Sequence, residues 1–164
     1  QPYNYNGQYI QFSGENSSTY KFKYVSHSSY NIEFMLMSEV TTPNHVMSDI
    51  SPPMPLIIHP YLFYQQSNNS IRIRLSDEID ITINNFFNYR WHKIRIEADK
   101  YVPNTRIFFN DVLIVNENTY VPLGDNITVG KGIKNRFWKG KIGYICIKEI
   151  NNNIENKVIF NLST

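Results

Sequence analysis

Glu78-Ile79-Asp80-Ile81 places two carboxylates at a two-residue spacing. On a strand, where side chains alternate, both would share one face. A glycosidase needs such a pair, with nucleophile and general acid about 5 Å apart. Here the following positions are Thr82 and Ile83, so no further acid joins the two. A lone pair this close in sequence, with no third acid, does not substitute for a nucleophile and a separate general acid, and it reads better as outward polar positions on an ordinary strand. Histidines 27, 45, 59 and 92 are scattered and form no i, i+2 or i, i+4 pair. No Gly-x-Ser-x-Gly elbow is present, and Gly130-Lys131-Gly132 lacks the spacing of a phosphate loop. Cys146 is the single cysteine. It can close no internal disulfide or cysteine-based zinc site, and its place between Ile145 and Ile147 suits a small buried hydrophobe.

A distributed feature is more suggestive. Lys21, Lys23, Arg72, Arg74, Lys93 and Arg95 occupy the polar positions of alternating runs. If neighbouring strands align them, one sheet face is basic although the net charge is only +2. Arginine suits sulfate and carboxylate, so the expected ligand is a glycan, with sulfated or sialylated forms favoured. Exposed tyrosines and Trp138, near the turn at Lys139, would supply flat apolar contacts for sugar rings. The alternative is that these cations only solubilise a two-sided sheet. A domain this weakly charged is not expected to bind nucleic acid.

The elements that must hold these residues are strands. The chain is rich in aromatic (15%) and β-branched residues, and alanine occurs once, at Ala98, which favours an all-β fold. In Tyr89–Ile150, Ile94, Ile96 and Ala98 alternate with Lys93, Arg95 and Glu97, the period of a half-buried strand. Arg106–Phe109 meets Val112–Val115 across Asn110-Asp111, a hairpin step whose residues tolerate positive φ. Further strands are expected at Tyr9–Phe12, Tyr20–Tyr24, Asn31–Val40, Leu56–Gln66, Ile71–Leu75, Ile79–Ile83 and Val158–Phe160. A turn is expected at Ser26–Ser29 and a hairpin at Ser67–Ser70. Thr41–Pro60, with Ser51-Pro52-Pro53-Met54-Pro55, reads as the one long irregular segment. It would be a specificity loop or an edge-covering flap. Ten or so strands in a chain of 164 residues imply a single domain over residues 1–164, a two-sheet antiparallel β-sandwich.

The order Trp91-His92, Asn110-Asp111, Ile127-Thr128-Val129-Gly130 and Phe137-Trp138-Lys139-Gly140-Lys141-Ile142 resembles the laminin G-like branch of the concanavalin A-like jelly-roll superfamily. The resemblance implies a non-catalytic recognition module for carbohydrate or an extracellular protein. In such jelly rolls the first and last strands lie close together, which implies Val158–Phe160 as the partner of Tyr9–Phe12. It implies a secreted or cell-surface setting, in adhesion or host recognition, as part of a larger protein. Glucanases of the superfamily carry Glu-x-Asp-x-Glu on one strand, and the missing third acid here argues against hydrolysis. Only distant acids converging, such as Glu78 with Glu33 or Glu97, would restore it. Relatives that serve as structural halves of toxin binding regions imply a second reading, a protein-interaction or scaffold domain without a sugar site. Relatives also often hold a rim Ca²⁺ through acids and carbonyls. Asp49, Asp77, Asp99, Asp111 and Asp125 are the candidates, but none falls in the family's ligand spacing, so no ligand is assigned. His92 beside Trp91 is read as packing. No apolar run approaches the length of a membrane span. Asn16, Asn68, Asn126 and Asn161 head N-x-[ST] sequons, whose number is near chance for so asparagine-rich a chain.

Overall fold

The computed structural model describes residues 3–15, 20–23, 29–40, 44–49, 62–67, 69–122, 126–131, 136–150 and 156–163. These contain thirteen strands in two antiparallel sheets. One sheet holds β1 (Ile10–Ser13), β3 (Ser29–Ser38), β8 (His92–Asp99), β9 (Asn104–Phe109), β10 (Val112–Glu117), β12 (Lys139–Ile150) and β13 (Asn156–Ser163). Its order is β1-β12-β3-β8-β9-β10, with β13 also on β12. The other holds β2 (Tyr20–Lys23), β4 (Asn44–Asp49), β5 (Leu62–Ser67), β6 (Ser70–Arg74), β7 (Asp80–Asn84) and β11 (Asn126–Val129), in the order β2-β11-β4-β5-β6-β7. The fold is an all-β sandwich.

Alternation dictates which face each strand buries. His92, Ile94, Ile96 and Ala98 of β8 are buried, while Lys93, Arg95, Glu97 and Asp99 face outward. Ile32, Phe34 and Leu36 of β3 and Ile142, Ile145 and Ile147 of β12 join them, and Ile71, Ile73 and Ile83 enter the core from the other sheet. The Asn110-Asp111 hairpin forms as expected, with φ of 49° and 68°. Gly140 has φ of 150°, and a Cβ there would lie 2.2 Å from the Met37 carbonyl oxygen. Only glycine lets β12 approach β3 so closely.

His92 packs as expected, its ring 4.8 Å from Phe86 and 5.3 Å from Phe109. The Phe87 N–H donates to its Nε2 at 3.1 Å, and its Nδ1 lies 3.2 Å from the Asn110 side-chain amide. Burial lowers its pKa to about 4.

Three expectations are corrected. The stretch read as irregular contains β4, whose sequence NHVMSD shows no clean alternation. Pairing on both sides makes it a strand, and its buried Asn44 ties the sheets together. Asn44 Nδ2 donates to Ser38 Oγ (2.8 Å) and the Lys139 carbonyl (2.9 Å), and the Lys139 N–H donates to Asn44 Oδ1 (2.7 Å). Ser38 also bonds Gln65, and Gln65 bonds Asn88. Second, β1 and β13 do not pair with each other. They lie end to end along one edge of β12, Ile10 opposite Ile142 and Ser163 opposite Tyr144. Third, Cys146 points outward and is only half-buried, opposite Glu33 on β3; burial raises its thiol pKa. The Pro-rich run at Ser51–Pro55 and the turn at Ser26–Ser28 lie outside the described residues, as do the side chains of all four sequon asparagines.

Candidate functional site

The outer face of the seven-stranded sheet carries an open cleft of about 540 Å³, within the usual range for small-ligand sites. Register builds its floor. Glu97 of β8 lies opposite Asn31 of β3 and Arg106 of β9, so three outward polar side chains form a row. The β8–β9 turn builds the wall. There Asp99 Oδ1 accepts from the N–H groups of Tyr101 (2.9 Å) and Val102 (3.2 Å), a carboxylate-capped turn. The turn leaves Tyr101 63% and Val102 71% exposed. Ser29, Asn104 and Ile150 complete the lining. Ser29 Oγ accepts from the Lys100 N–H at 2.9 Å, and Asn104 Nδ2 donates to Asn116 Oδ1 at 2.6 Å.

Arg106 is the cation of the cleft. Its Nη2 lies 2.7 Å from Glu97 Oε1, while Arg95 Nε lies 3.1 Å from Glu97 Oε2. The Arg95 guanidinium rests 4.2 Å over the Phe108 ring. The cleft thus combines a free aromatic face, side-chain amides, a hydroxyl and a polarised carboxylate–guanidinium pair. Such a set offers paired donors and acceptors of the kind that can meet the hydroxyls of a ligand.

The six strand cations do not share one face. Lys93 and Arg95 point out from β8, whereas Arg72 and Arg74 lie on β6 of the other sheet. Lys21 and Lys23 lie on β2, four strands from β6 in that sheet order, about 19 Å at the usual strand spacing. Their side chains lie outside the described residues. The described cations are also engaged. Asp80 takes Arg72 Nε (2.8 Å) and Nη2 (2.6 Å) and Arg74 Nη1 (2.6 Å), and Arg74 also bonds Asp77. The Arg72 hydrogen bond, against some burial, holds the Asp80 carboxyl below the usual carboxylate range. Lys93 Nζ lies 2.9 Å from Asp111 and 3.7 Å from Glu33. Burial would lower its pKa, but the Asp111 hydrogen bond and Glu33 raise it overall. Trp138 is fully buried, not an exposed platform. Indole packing against the core outweighs its position beside a turn.

The acids do not converge either. Glu78 sits in an exposed turn before β7, while Glu33 and Glu97 face outward from the opposite sheet. Glu33 accepts from the Tyr144 hydroxyl at 2.7 Å. Among the described residues, no three His, Cys, Asp or Glu side chains gather as a metal would need. Asp77 is held by Arg74, Asp99 by turn amides and Asp111 by Lys93. The side chain of Asp49 and all of Asp125 lie outside the described residues. Among the described residues, Asp77, Asp99 and Asp111 are engaged elsewhere and form no calcium site together.

Sequence reasoning missed the cleft because β3, β8, β9, β12 and a turn contribute to it. Its one local signal is Tyr101-Val102-Pro103-Asn104, an aromatic turn between two alternating runs.

No family sequence model matches the chain, and no curated protein matches it in sequence. Solved structures do match in fold. A putative carbohydrate-binding protein from Bacteroides ovatus is 12% identical with a TM-score of 0.64, over 95% of this chain and 52% of that one. The IT-sialidase CBM40 of Ruminococcus gnavus is 14% identical with a TM-score of 0.59, over 89% and 93%. Domains LG4-5 of the mouse laminin alpha1 chain are 9% identical with a TM-score of 0.56, over 98% and 48%. The chain has the jelly-roll fold of lectin-like and laminin G-like domains, and its structural neighbours include carbohydrate-binding modules.

Proposed function

We propose that this domain is a non-catalytic carbohydrate-binding module that seats a glycan in the cleft beside Tyr101. One observation carries the reading: an exposed aromatic converges there with Asn31, Asn104, Ser29 and the Glu97–Arg106 pair. A sugar ring presents apolar C–H groups to the tyrosine and hydroxyls to the paired polar groups. The fold shared with carbohydrate-binding modules supports it. The narrower reading is a sulfated or sialylated glycan, in adhesion or host recognition at a cell surface, within a larger protein. In the cleft its anion would meet Arg106. For Lys21, Lys23, Arg72, Arg74, Lys93 and Arg95 to serve as well, the described ones must loosen their hold on Asp80, Asp77, Asp111, Glu33 and Glu97.

A glycan array probed with wild type and Tyr101→Ala tests the cleft. Binding that falls roughly tenfold on truncation, with an unchanged melting temperature, supports it. Equal binding by both proteins removes it. Retention on immobilised heparin in low salt, with and without a chelator, tests the anionic form. Flow-through in both conditions leaves only uncharged glycans.

A second reading, a protein-interaction domain, is favoured by β10. This strand borders the seven-stranded sheet and exposes Val112, Leu113 and Ile114, an apolar edge of the kind partners cover. Lost glycan binding together with retained partner capture would favour it.

A further inference from the structure

The same outer face carries a second concentration of aromatic and polar side chains at its opposite end. Tyr9 (45% exposed) and Tyr89 (65% exposed) flank Glu39. The Tyr89 hydroxyl donates to the Glu39 carbonyl at 3.2 Å, and Gln11 Nε2 donates to Glu39 Oε1 at 2.6 Å. Lys141 Nζ lies 4.8 Å over the Tyr9 ring and 3.8 Å from Glu39 Oε2. Tyr9 in turn leans on Trp91, 6.2 Å between centroids.

Register relates this patch to the cleft. Asn31 lines the cleft, and Met37, six residues along β3, lies opposite Lys141. At about 3.3 Å per residue the two ends stand roughly 20 Å apart on one face. The route between them is aromatic. Tyr3 and Tyr5, both part-exposed, lie across it. The Tyr3 N–H donates to the Trp91 carbonyl at 2.7 Å, and its ring lies 5.2 Å from Lys93 Nζ. The Tyr5 ring packs edge-on against Trp91 at 4.7 Å and sits over Gly143. Their neighbour Met35 points outward yet is buried, flanked by Lys93 and Tyr144.

We infer that the outer face of the seven-stranded sheet is a track for an extended polysaccharide, with Tyr9, Tyr89, Gln11 and Glu39 forming a second sugar subsite distant from the cleft. The inference rests on the cleft being a carbohydrate site. A terminal sugar needs only the cleft, whereas a chain of several sugars reaches both ends and gains from tethering at the first.

Titration calorimetry with two oligosaccharide series, neutral β-linked gluco-oligosaccharides and heparin-derived fragments, from disaccharide to octasaccharide, tests it. In one series or the other, wild type should bind the octasaccharide at least about tenfold more tightly than the disaccharide. The double variant Tyr9→Ala/Tyr89→Ala should bind the two equally, with disaccharide affinity and melting temperature unchanged. Tyr101→Ala should weaken both ligands roughly tenfold. If wild type shows no gain with length, or the double variant keeps it, the track is wrong and the cleft stands. If neither series binds at any length, the carbohydrate reading and the track fall together.

Discussion

Acidification should destabilise this domain through His92, by an amount its burial sets. The imidazole titrates near 6.5 when solvated and about 4 in the fold, so the unfolded chain binds the extra proton between those values. Stability from this site is complete above pH 6.5 and is lost as pH falls toward 4. At pH 4.5 the unfolded imidazole is almost fully protonated and the native one largely neutral, a differential of roughly 2–3 kcal/mol. That is a large fraction of the stability of a typical domain. Urea unfolding at pH 7.5 and 4.5 measures it. Carboxylates with lowered pKa, such as Asp80 and Asp111, also lose stability on acidification, mainly below pH 4. His92→Phe isolates the histidine. The variant forfeits the hydrogen bond from Phe87 at neutral pH, about 1 kcal/mol, but should lose roughly 2–3 kcal/mol less than wild type on acidification. Equal losses in the two proteins would refute the assignment.

Gly140→Ala should cost several kcal/mol or prevent folding, because the new Cβ meets the Met37 carbonyl oxygen at 2.2 Å in the central strand pair; urea midpoints of soluble protein decide. Asp80→Asn should destabilise by about 2 kcal/mol, because it leaves the nearly buried Arg74 with only the exposed Asp77. Substituting Arg72→Met in that variant should recover little, so a full recovery would contradict the central part given to Arg74. Gly143→Val should expel the Tyr5 ring, which a Cβ would approach to 2.7 Å. Acrylamide should then quench tryptophan fluorescence more strongly, since Trp91 is the part-exposed indole and Trp138 is buried. Unchanged quenching would mean that the ring stays in place.

Much of the seven-stranded sheet was legible because its strands alternate cleanly. Ile94, Ile96 and Ala98 mark the inner face of β8 without help, and Asn110-Asp111 declares its hairpin through residues that accept positive φ. Period-2 alternation names a face, however, and does not say of which sheet. Arg72 and Arg95 therefore look equivalent in sequence and stand on opposite sides of the sandwich. Trp138 was misplaced because a neighbouring charged turn residue says nothing of where a large ring packs. β4 was invisible because its strand character comes from two neighbours and from the Asn44 bonds rather than from its own side chains. The cleft residues span Ser29 to Ile150, and only register brings them together.

The tandem seating of β13 and β1 on β12 bears on how the chain acquires its shape during synthesis. Both strands run in the same direction along that edge, meeting opposite Gly143. In effect they are one strand supplied from two segments far apart in sequence. β1 has its partner in the much later β12, Ile10 with Ile142, and so waits on the order of ten seconds at ordinary elongation rates. Until then Phe12, which ends buried in the core, is not yet covered by the sheet that encloses it. The seven-stranded sheet closes last at that edge, and a nascent chain stalled before β12 would hold β3, β8, β9 and β10 together with β1 still unattached.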